Sequence, residues 1–236
     1  MEREHDVSAR PEAGAEWSEK IREFIGRYRE DIFEDIGRLV AIPSTEGPAE
    51  PGAPFGRGPR QALDQALEMA RGWGLSVGHQ DYKMGWAELP GERPEYLAAI
   101  THLDVVPAGE GWDGDPFVMR RREGWLLGRG VADDKGASVL CLYALRFLKE
   151  AGLPLRYGAR ALLGCNEENG STDLAYYLAH AAMPPQVFTP DGSYPIIHLE
   201  KGMLRLEFTK QTADPIVRFS AGTAPNAVPA DASVSL

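Results

Sequence analysis

Apolar side chains recur at helical spacing in four stretches of the chain. The longest stretch runs from Trp17 to Val40 and ends before Pro43, a residue that disrupts helices. Its aromatic residues share the apolar face, so we interpret them as core. Shorter stretches of the same period predict helices over residues 61–73, 135–151 and 171–180.

Short apolar runs lie between these helices and are typical of strands. They cover residues 75–79, 84–89, 96–104, 159–165 and 187–188. Residues 116–127 predict a hairpin that turns at residues 122–124, and the Gly- and Pro-rich residues 44–60 predict a loop. Because strands alternate with helices, the sequence predicts an α/β sandwich with a largely parallel sheet.

The composition fits a folded protein that does not bind nucleic acid. Of the 236 residues, 43% are hydrophobic, and the formal net charge is −10. An acidic chain without a basic run is not expected to bind nucleic acid or anionic membranes. The two cysteines, Cys141 and Cys165, are too few for a secreted disulfide framework, so we expect buried, reduced thiols.

The sequence favours a cytoplasmic location. The mean hydropathy is −0.31, and no apolar run is long enough to span a bilayer. Residues 1–16 carry charges of both signs and no apolar segment, which argues against a secretory signal. Residues 1–15 also lack periodicity, so we expect them to form a disordered tail.

Chemically capable side chains follow three of the predicted strands, at the point where each strand ends. In chain order they are His102, Asp104, Glu167, Glu168 and Asp191. Sites in open α/β sheets form at the carboxyl ends of strands, so we expect these side chains to share one edge. A Gly-rich turn before the predicted helix 135–151 can bring a further acid, Asp133, to the same edge.

A histidine among several carboxylates suits zinc, or a related ion such as manganese or cobalt. Each motif alone has an ordinary explanation, because Asp-Asp before a helix is commonly a cap and Glu-Glu before Asn-Gly is commonly a solvated turn. Together they fit a two-metal hydrolytic site, in which a glutamate that binds no metal accepts a proton from water. Adjacent residues in an extended chain point in opposite directions, so Glu167 and Glu168 can divide these two tasks.

The motifs in their order resemble the two-zinc metallopeptidase and deacylase family of carboxypeptidase G, the acetylornithine and succinyl-diaminopimelate deacylases and the PepV-type dipeptidases. The matching segments are residues 102–112 (HLDVVPAGEGW), 115–117 (DPF), 128–136 (GRGVADDKG), 166–168 (NEE) and 190–191 (PD). Residues 54–56 (PFG) and 199–202 (LEKG) favour the dipeptidase branch. The resemblance covers the chain from about residue 17 to its end.

The resemblance implies a ligand set for two zinc ions. His102 and Asp191 would bind the first zinc, Glu168 would bind the second, and Asp133 would bridge both. It also implies a cis peptide bond between Asp133 and Asp134. The return segment of the family's catalytic domain, which would supply a histidine to the second zinc, has no counterpart before Leu236.

The resemblance also implies roles for residues that bind no metal. Asp104 would orient the ring of His102, and Glu167 would be the general base. Asn226 resembles a substrate-binding position in the family's lid domain, although the residues before it depart from the family's Gly-rich form. His198 follows the Asp191 loop, and we expect it to pack or to be solvated instead of binding metal.

The resemblance predicts a three-layer sandwich of the zinc-dependent exopeptidase type. Residues 16–202 would form the N-terminal portion of the catalytic domain, and residues 203–236 would begin an α+β lid that can support a homodimer. The implied function is hydrolysis of the peptide bond of dipeptides. The alternatives are an N-acyl amino acid deacylase or carboxypeptidase of the same family, and a truncated, inactive fragment that only binds metal.

Overall fold

The computed structural model describes residues 11–193, residues 197, 199 and 202, and the segments 218–221 and 232–235. The chain divides into two compact units, Met1–Ile196 and Ile197–Leu236. The helices of the first unit are α1 (Pro11–Val40), α2 (Arg57–Gly72), α3 (Lys135–Glu150) and α4 (Thr172–His180). Its strands are β1 (Ser76–Gln80), β2 (Met84–Leu89), β3 (Arg93–His102), β4 (Arg120–Arg122), β5 (Trp125–Leu127), β6 (Tyr157–Gly164) and β7 (Gln186–Phe188). In the second unit, β8 (Arg218–Ala221) pairs antiparallel with β9 (Ala232–Ser235).

A five-stranded sheet lies at the centre of the first unit, in the order β1-β2-β6-β3-β7. Strand β3 pairs in parallel with β6 and β7, whereas β2 pairs antiparallel with β1 and β6. Within this sheet, four strands therefore run in one direction and β2 opposes them. The prediction of a mostly parallel sheet is confirmed.

Helices cover both faces of this sheet. Alternate residues of β6 point to opposite faces, so Ala161 and Leu163 join a large core with α1, α2 and α3. Leu162 instead joins a smaller core on the other face, where Tyr177 of α4 packs. Leu142 of α3 is fully buried in the large core, and burial of one leucine side chain contributes about 1.5–3 kcal/mol to folding. These layers confirm the predicted three-layer sandwich.

Two helices begin earlier than the periodicity predicts. Helix α1 starts at Pro11, so residues 11–15 are helical although the sequence predicts a tail there. Proline is favoured at the first helical position, a signal that apolar spacing does not reveal. Helix α2 starts at Arg57, inside the predicted loop, and its first turn includes Gly58 and Pro59. A side chain at position 58 would collide with the carbonyl oxygen of Pro43. The glycine therefore allows the helix to pack closely against Pro43 and does not mark a loop.

The remaining elements follow the sequence closely. Strand β3 ends at His102, two residues before the predicted end. Beyond it, the backbone N–H of Val105 donates to the carbonyl of Ser44 and not to a neighbouring strand. Strands β4 and β5 form the predicted hairpin, and Glu123 and Gly124 occupy its turn with positive φ. Both cysteines are free. Among the described residues, no helix combines the length and apolar character needed to cross a membrane.

Candidate metal centre

The carboxyl ends of β3 and β6 lie side by side. His102, the last residue of β3, pairs with Gly164, the last residue of β6. Glu167 follows β6 by three residues, and Asp191 follows β7 by three residues. The sheet register therefore brings loops that are distant in sequence to one edge, as parallel sheets do at their binding sites.

Hydrogen bonds hold the backbone at the end of β3 from two sides. The backbone N–H of His102 donates to Oδ2 of Asp134 over 3.2 Å, and the Ser138 hydroxyl donates to the carbonyl of His102 over 3.1 Å. The Ser44 hydroxyl donates to the carbonyl of Leu103 over 2.6 Å. These buried bonds, from α3 and from the loop after α1, fix the position from which the His102 side chain projects.

The two ring nitrogens of His102 face different partners. Its Nδ1 atom lies 3.0 Å from the backbone oxygen of Asp104 and 3.4 Å from Oδ1 of the same residue. Its Nε2 atom lies 2.9 Å from Oδ1 of Asp133, 3.4 Å from Oδ2 of Asp191 and 3.9 Å from Oε2 of Glu167. Asp104 thus orients the ring from one side, while Nε2 points into a group of acids.

Among the described residues, His102, Asp133 and Asp191 form a group that could hold a metal ion, with ligand atoms within 4.8 Å of one another. The histidine is buried, whereas the Asp133 side chain is 59% exposed, so the group opens to solvent. A deep ligand with accessible carboxylates suits a site that exchanges water or substrate.

The electrostatics of this group favour a positive charge. Burial alone would lower the pKa of His102, but its hydrogen bonds to Asp104 and Asp133 outweigh burial and raise the pKa to about 11. Burial and the Asp133 charge raise the pKa of Glu168 above its usual range, although the charge on His102 opposes the shift. The carboxylates that favour a proton on His102 would favour a divalent cation in its place, bound to the neutral ring. The donor set therefore fits the zinc or related ion that the sequence predicts.

Glu167 and Glu168 lie beside this group. Burial and the charge of Asp191 raise the pKa of the Glu167 carboxyl above its usual range, although the charge on His102 opposes them. Glu168 is outside the three-ligand group but lies close enough to Asp133 for their charges to interact. Asn226 and His198 lie outside the described residues. The peptide bond between Asp133 and Asp134 is cis, as the resemblance implies.

Sequence reasoning missed three buried charged residues around this edge. The Oδ2 atom of Asp134 accepts a hydrogen bond from the backbone N–H of His102, whereas its Oδ1 atom is buried without a hydrogen-bond partner. Lys135 is fully buried and donates to the carbonyls of Leu39 and Ile42 at the end of α1. Asp173 is buried in the first turn of α4 and accepts hydrogen bonds from the backbone after β6. Each of these residues lies at or next to the start of a predicted helix, where a charged side chain is ordinarily solvated or caps the helix, so the sequence does not reveal its buried partners.

Residues 98–214 match the model of Peptidase family M20/M25/M40. This range contains the whole three-ligand group and both glutamates. The chain belongs to this family. The identification confirms the resemblance that the motifs carry.

Two further comparisons describe the extent of the similarity. The chain is 38% identical over 217 residues to the Beta-Ala-Xaa dipeptidase of Lactobacillus delbrueckii subsp. lactis, which covers 89% of this chain and 46% of that protein. The chain thus spans about half the length of the curated relatives it matches. Human carnosine dipeptidase 1 has the same fold, with a TM-score of 0.62 and 22% identity over 75% of this chain and 41% of that one. The M20 family metallo-carboxypeptidase Sso-CP2 of Sulfolobus solfataricus gives a TM-score of 0.55 and 19% identity over 69% of this chain and 37% of that one.

Proposed function

We propose that this chain supplies the metal-binding half of an enzyme that hydrolyses the peptide bond of dipeptides. The observation that carries the proposal is the convergence of His102, Asp133 and Asp191 at the carboxyl edge of the sheet, with Glu167 beside them. A divalent cation held by this group would polarise the peptide carbonyl and lower the pKa of water. The similarity to a relative named a Beta-Ala-Xaa dipeptidase supports dipeptides as the substrate class.

The protein's own groups divide the remaining work. Glu167 accepts the proton of the attacking water, because its Oε2 atom lies at the edge of the ligand group and its side chain is half exposed to solvent. Asp104 holds the His102 ring, so that Nε2 stays directed at the ligand site. Asn226 contacts the substrate in this proposal, on the strength of the resemblance.

The proposed cofactor is zinc, with manganese or cobalt as substitutes. One ion would take His102, Asp133 and Asp191, a set of three protein ligands that suits catalytic zinc. A second ion would take Glu168 and share Asp133, and the resemblance assigns its histidine to a segment beyond this chain. The chain alone would therefore bind one ion tightly and a second ion weakly.

Two other activities are alternatives to dipeptide hydrolysis. The same edge could serve an N-acyl amino acid deacylase or a carboxypeptidase, because the metal ligands do not select the substrate's side chains. The cytoplasmic location and the homodimer formed through the lid also remain predictions. The domain boundaries belong to the same proposal. Residues 16–202 would form a catalytic portion, and residues 203–236 would begin a lid.

The test is a substrate comparison with the full-length protein. Chelator-treated protein is supplied with zinc or manganese and is given a dipeptide library, larger peptides with a free carboxyl end, and N-acyl amino acids. The proposal expects dipeptides to be cleaved with the highest kcat/KM and cleavage to require added metal. Preferential cleavage of N-acyl amino acids, or full activity without metal, would overturn it.

A further inference from the structure

Four consecutive backbone amides, from Cys165 to Glu168, all donate to buried carboxylates. The N–H groups of Cys165 and Asn166 donate to Oδ2 of Asp173, over 2.6 and 2.9 Å. The N–H groups of Glu167 and Glu168 donate to the two oxygens of Asp104, each over 3.1 Å. Two carboxylates, one from α4 and one from the loop after β3, therefore hold the chain as it leaves β6.

We propose that Asp173 is a positioning residue that sets where Glu167 and Glu168 stand relative to His102. The inference rests on the proposed function of Glu167 and Glu168. Asp104 acts on the two glutamates directly, whereas Asp173 acts one step earlier, on the two residues that lead into them. Without the Asp173 bonds, the segment could swing about the end of β6 and carry both glutamates with it.

The Asp173 carboxylate is arranged to receive backbone N–H groups. Asp173 is 2% exposed, and its Oδ1 atom accepts a third hydrogen bond, from the N–H of Leu174 over 2.7 Å. In the described part of the chain, no cationic side chain forms an ion pair with it. A buried carboxylate is costly unless hydrogen bonds satisfy it. Here all three bonds come from backbone amides, two of which belong to the segment that leads into the glutamates.

Gly164 provides a second, independent observation. A Cβ atom placed on Gly164 would lie 2.6 Å from Oδ2 of Asp173 and 3.5 Å from Cβ of His102. The missing side chain therefore lets the carboxylate approach the backbone between β6 and the glutamates. Gly164 also pairs with His102 in the sheet, so Asp173 is anchored next to the strand that carries the metal-binding histidine.

Helix α4 makes this anchor rigid. Asp173 lies in its first turn, and Tyr177, one turn later, is buried against β2 and β6 in the smaller core. The helix therefore cannot shift without breaking that packing. A displacement of about 1 Å at a reacting group can lower a rate about a hundredfold, so a rigid anchor matters for a general base.

The test uses Asp173→Ala and the milder Asp173→Asn in the full-length protein. Substitutions that remove support behind metal ligands typically cost about 10–100-fold in activity or metal affinity. We expect Asp173→Ala to lower kcat by that factor with little change in KM. Asp173→Asn, which keeps one acceptor oxygen, should fall between Asp173→Ala and the wild type. Zinc bound by His102, Asp133 and Asp191 should be retained, whereas the second ion should bind more weakly.

A matched control separates positioning from stability. Asp35 is another buried acid, which accepts hydrogen bonds from Tyr143 and Arg38 on the opposite face of the sheet. Asp35→Asn should lower the Tm without lowering kcat. If Asp173→Ala and Asp173→Asn lower the Tm but leave kcat and the second ion's affinity unchanged, the positioning role is overturned.

Hydrogen exchange tests the same inference without catalysis. In the 236-residue chain, the amides of Cys165 to Glu168 should exchange faster in Asp173→Asn than in the wild type, while the β2 amides keep their protection. Unchanged exchange at these four amides would contradict the inference even if the enzyme is active. If the wild-type protein cleaves no dipeptide, the proposed function is overturned. Hydrogen exchange would still decide whether Asp173 holds the segment from Cys165 to Glu168.

Discussion

The Oδ1 atom of Asp104 lies 3.1 Å from the backbone nitrogen of Glu167, although 63 positions separate the two residues. The same oxygen lies 3.4 Å from Nδ1 of His102. One carboxylate therefore touches both the ring of the proposed metal ligand and the backbone of the proposed general base. Its loss would disturb metal binding and proton transfer together.

Asp104→Ala tests this coupling. We expect zinc affinity and dipeptide turnover each to fall about 10–100-fold, the usual cost of removing support behind a metal-bound imidazole. Zinc titration and steady-state kinetics on the full-length protein would measure the two effects. Asp31→Ala, on the exposed side of α1, is the control and should change neither. A loss of turnover with unchanged zinc affinity would limit Asp104 to the glutamate segment.

Glu167→Gln separates proton transfer from metal binding. The substitution keeps the shape of the side chain but removes the base, so turnover by the full-length protein should fall about 10²–10⁴-fold. Metal content should stay unchanged, because Glu167 is outside the three-ligand group. Glu168→Gln is the matched comparison and should lose the second ion. If Glu167→Gln loses metal and Glu168→Gln keeps it, the two roles are reversed.

Lys135→Met tests the buried lysine that joins α3 to α1. The Nζ atom donates to the carbonyls of Leu39 and Ile42 over 2.9 and 2.7 Å, and methionine would leave both without this donor. We expect the free energy of unfolding to fall by about 1–3 kcal/mol, the cost of unsatisfied buried polar groups. Urea denaturation would measure it. Lys149→Met on the same helix is the control, because that exposed lysine also donates to a carbonyl, of Gly74, and should cost less. Equal losses in the two variants would contradict the explanation.

Much of the fold and of the ligand group could be predicted from local sequence. Short apolar runs identify the strands and helical spacing identifies the helices, and acids after strand ends mark one edge because parallel strands share their direction. His102 and Asp191 come together because β3 and β7 are neighbours in the sheet, and Asp133 joins them from the loop before α3. Local sequence alone does not contain that order, so the resemblance was needed to assign each ligand.

The supporting contacts could not be predicted in this way. Asp173 reads as an ordinary acid in the first turn of a helix, where acids are common. Its bonds to Cys165 and Asn166 depend on how closely α4 approaches the end of β6, which Gly164 permits. Lys135 likewise reads as a solvated residue at a helix start until the packing of α1 closes over it. Such contacts depend on the distance between elements, and periodicity carries no information about that distance.

The most direct test of a metal centre at this edge of the sheet is zinc titration of the metal-free chain by calorimetry, in the wild type and in His102→Ala. We expect about one tight site per wild-type chain, built on three protein ligands, and its loss in His102→Ala. His180→Ala, which removes an exposed histidine at the end of α4, should bind zinc like the wild type. Tight binding that persists in folded His102→Ala, or no tight site in the wild type, would contradict a metal centre at this edge of the sheet.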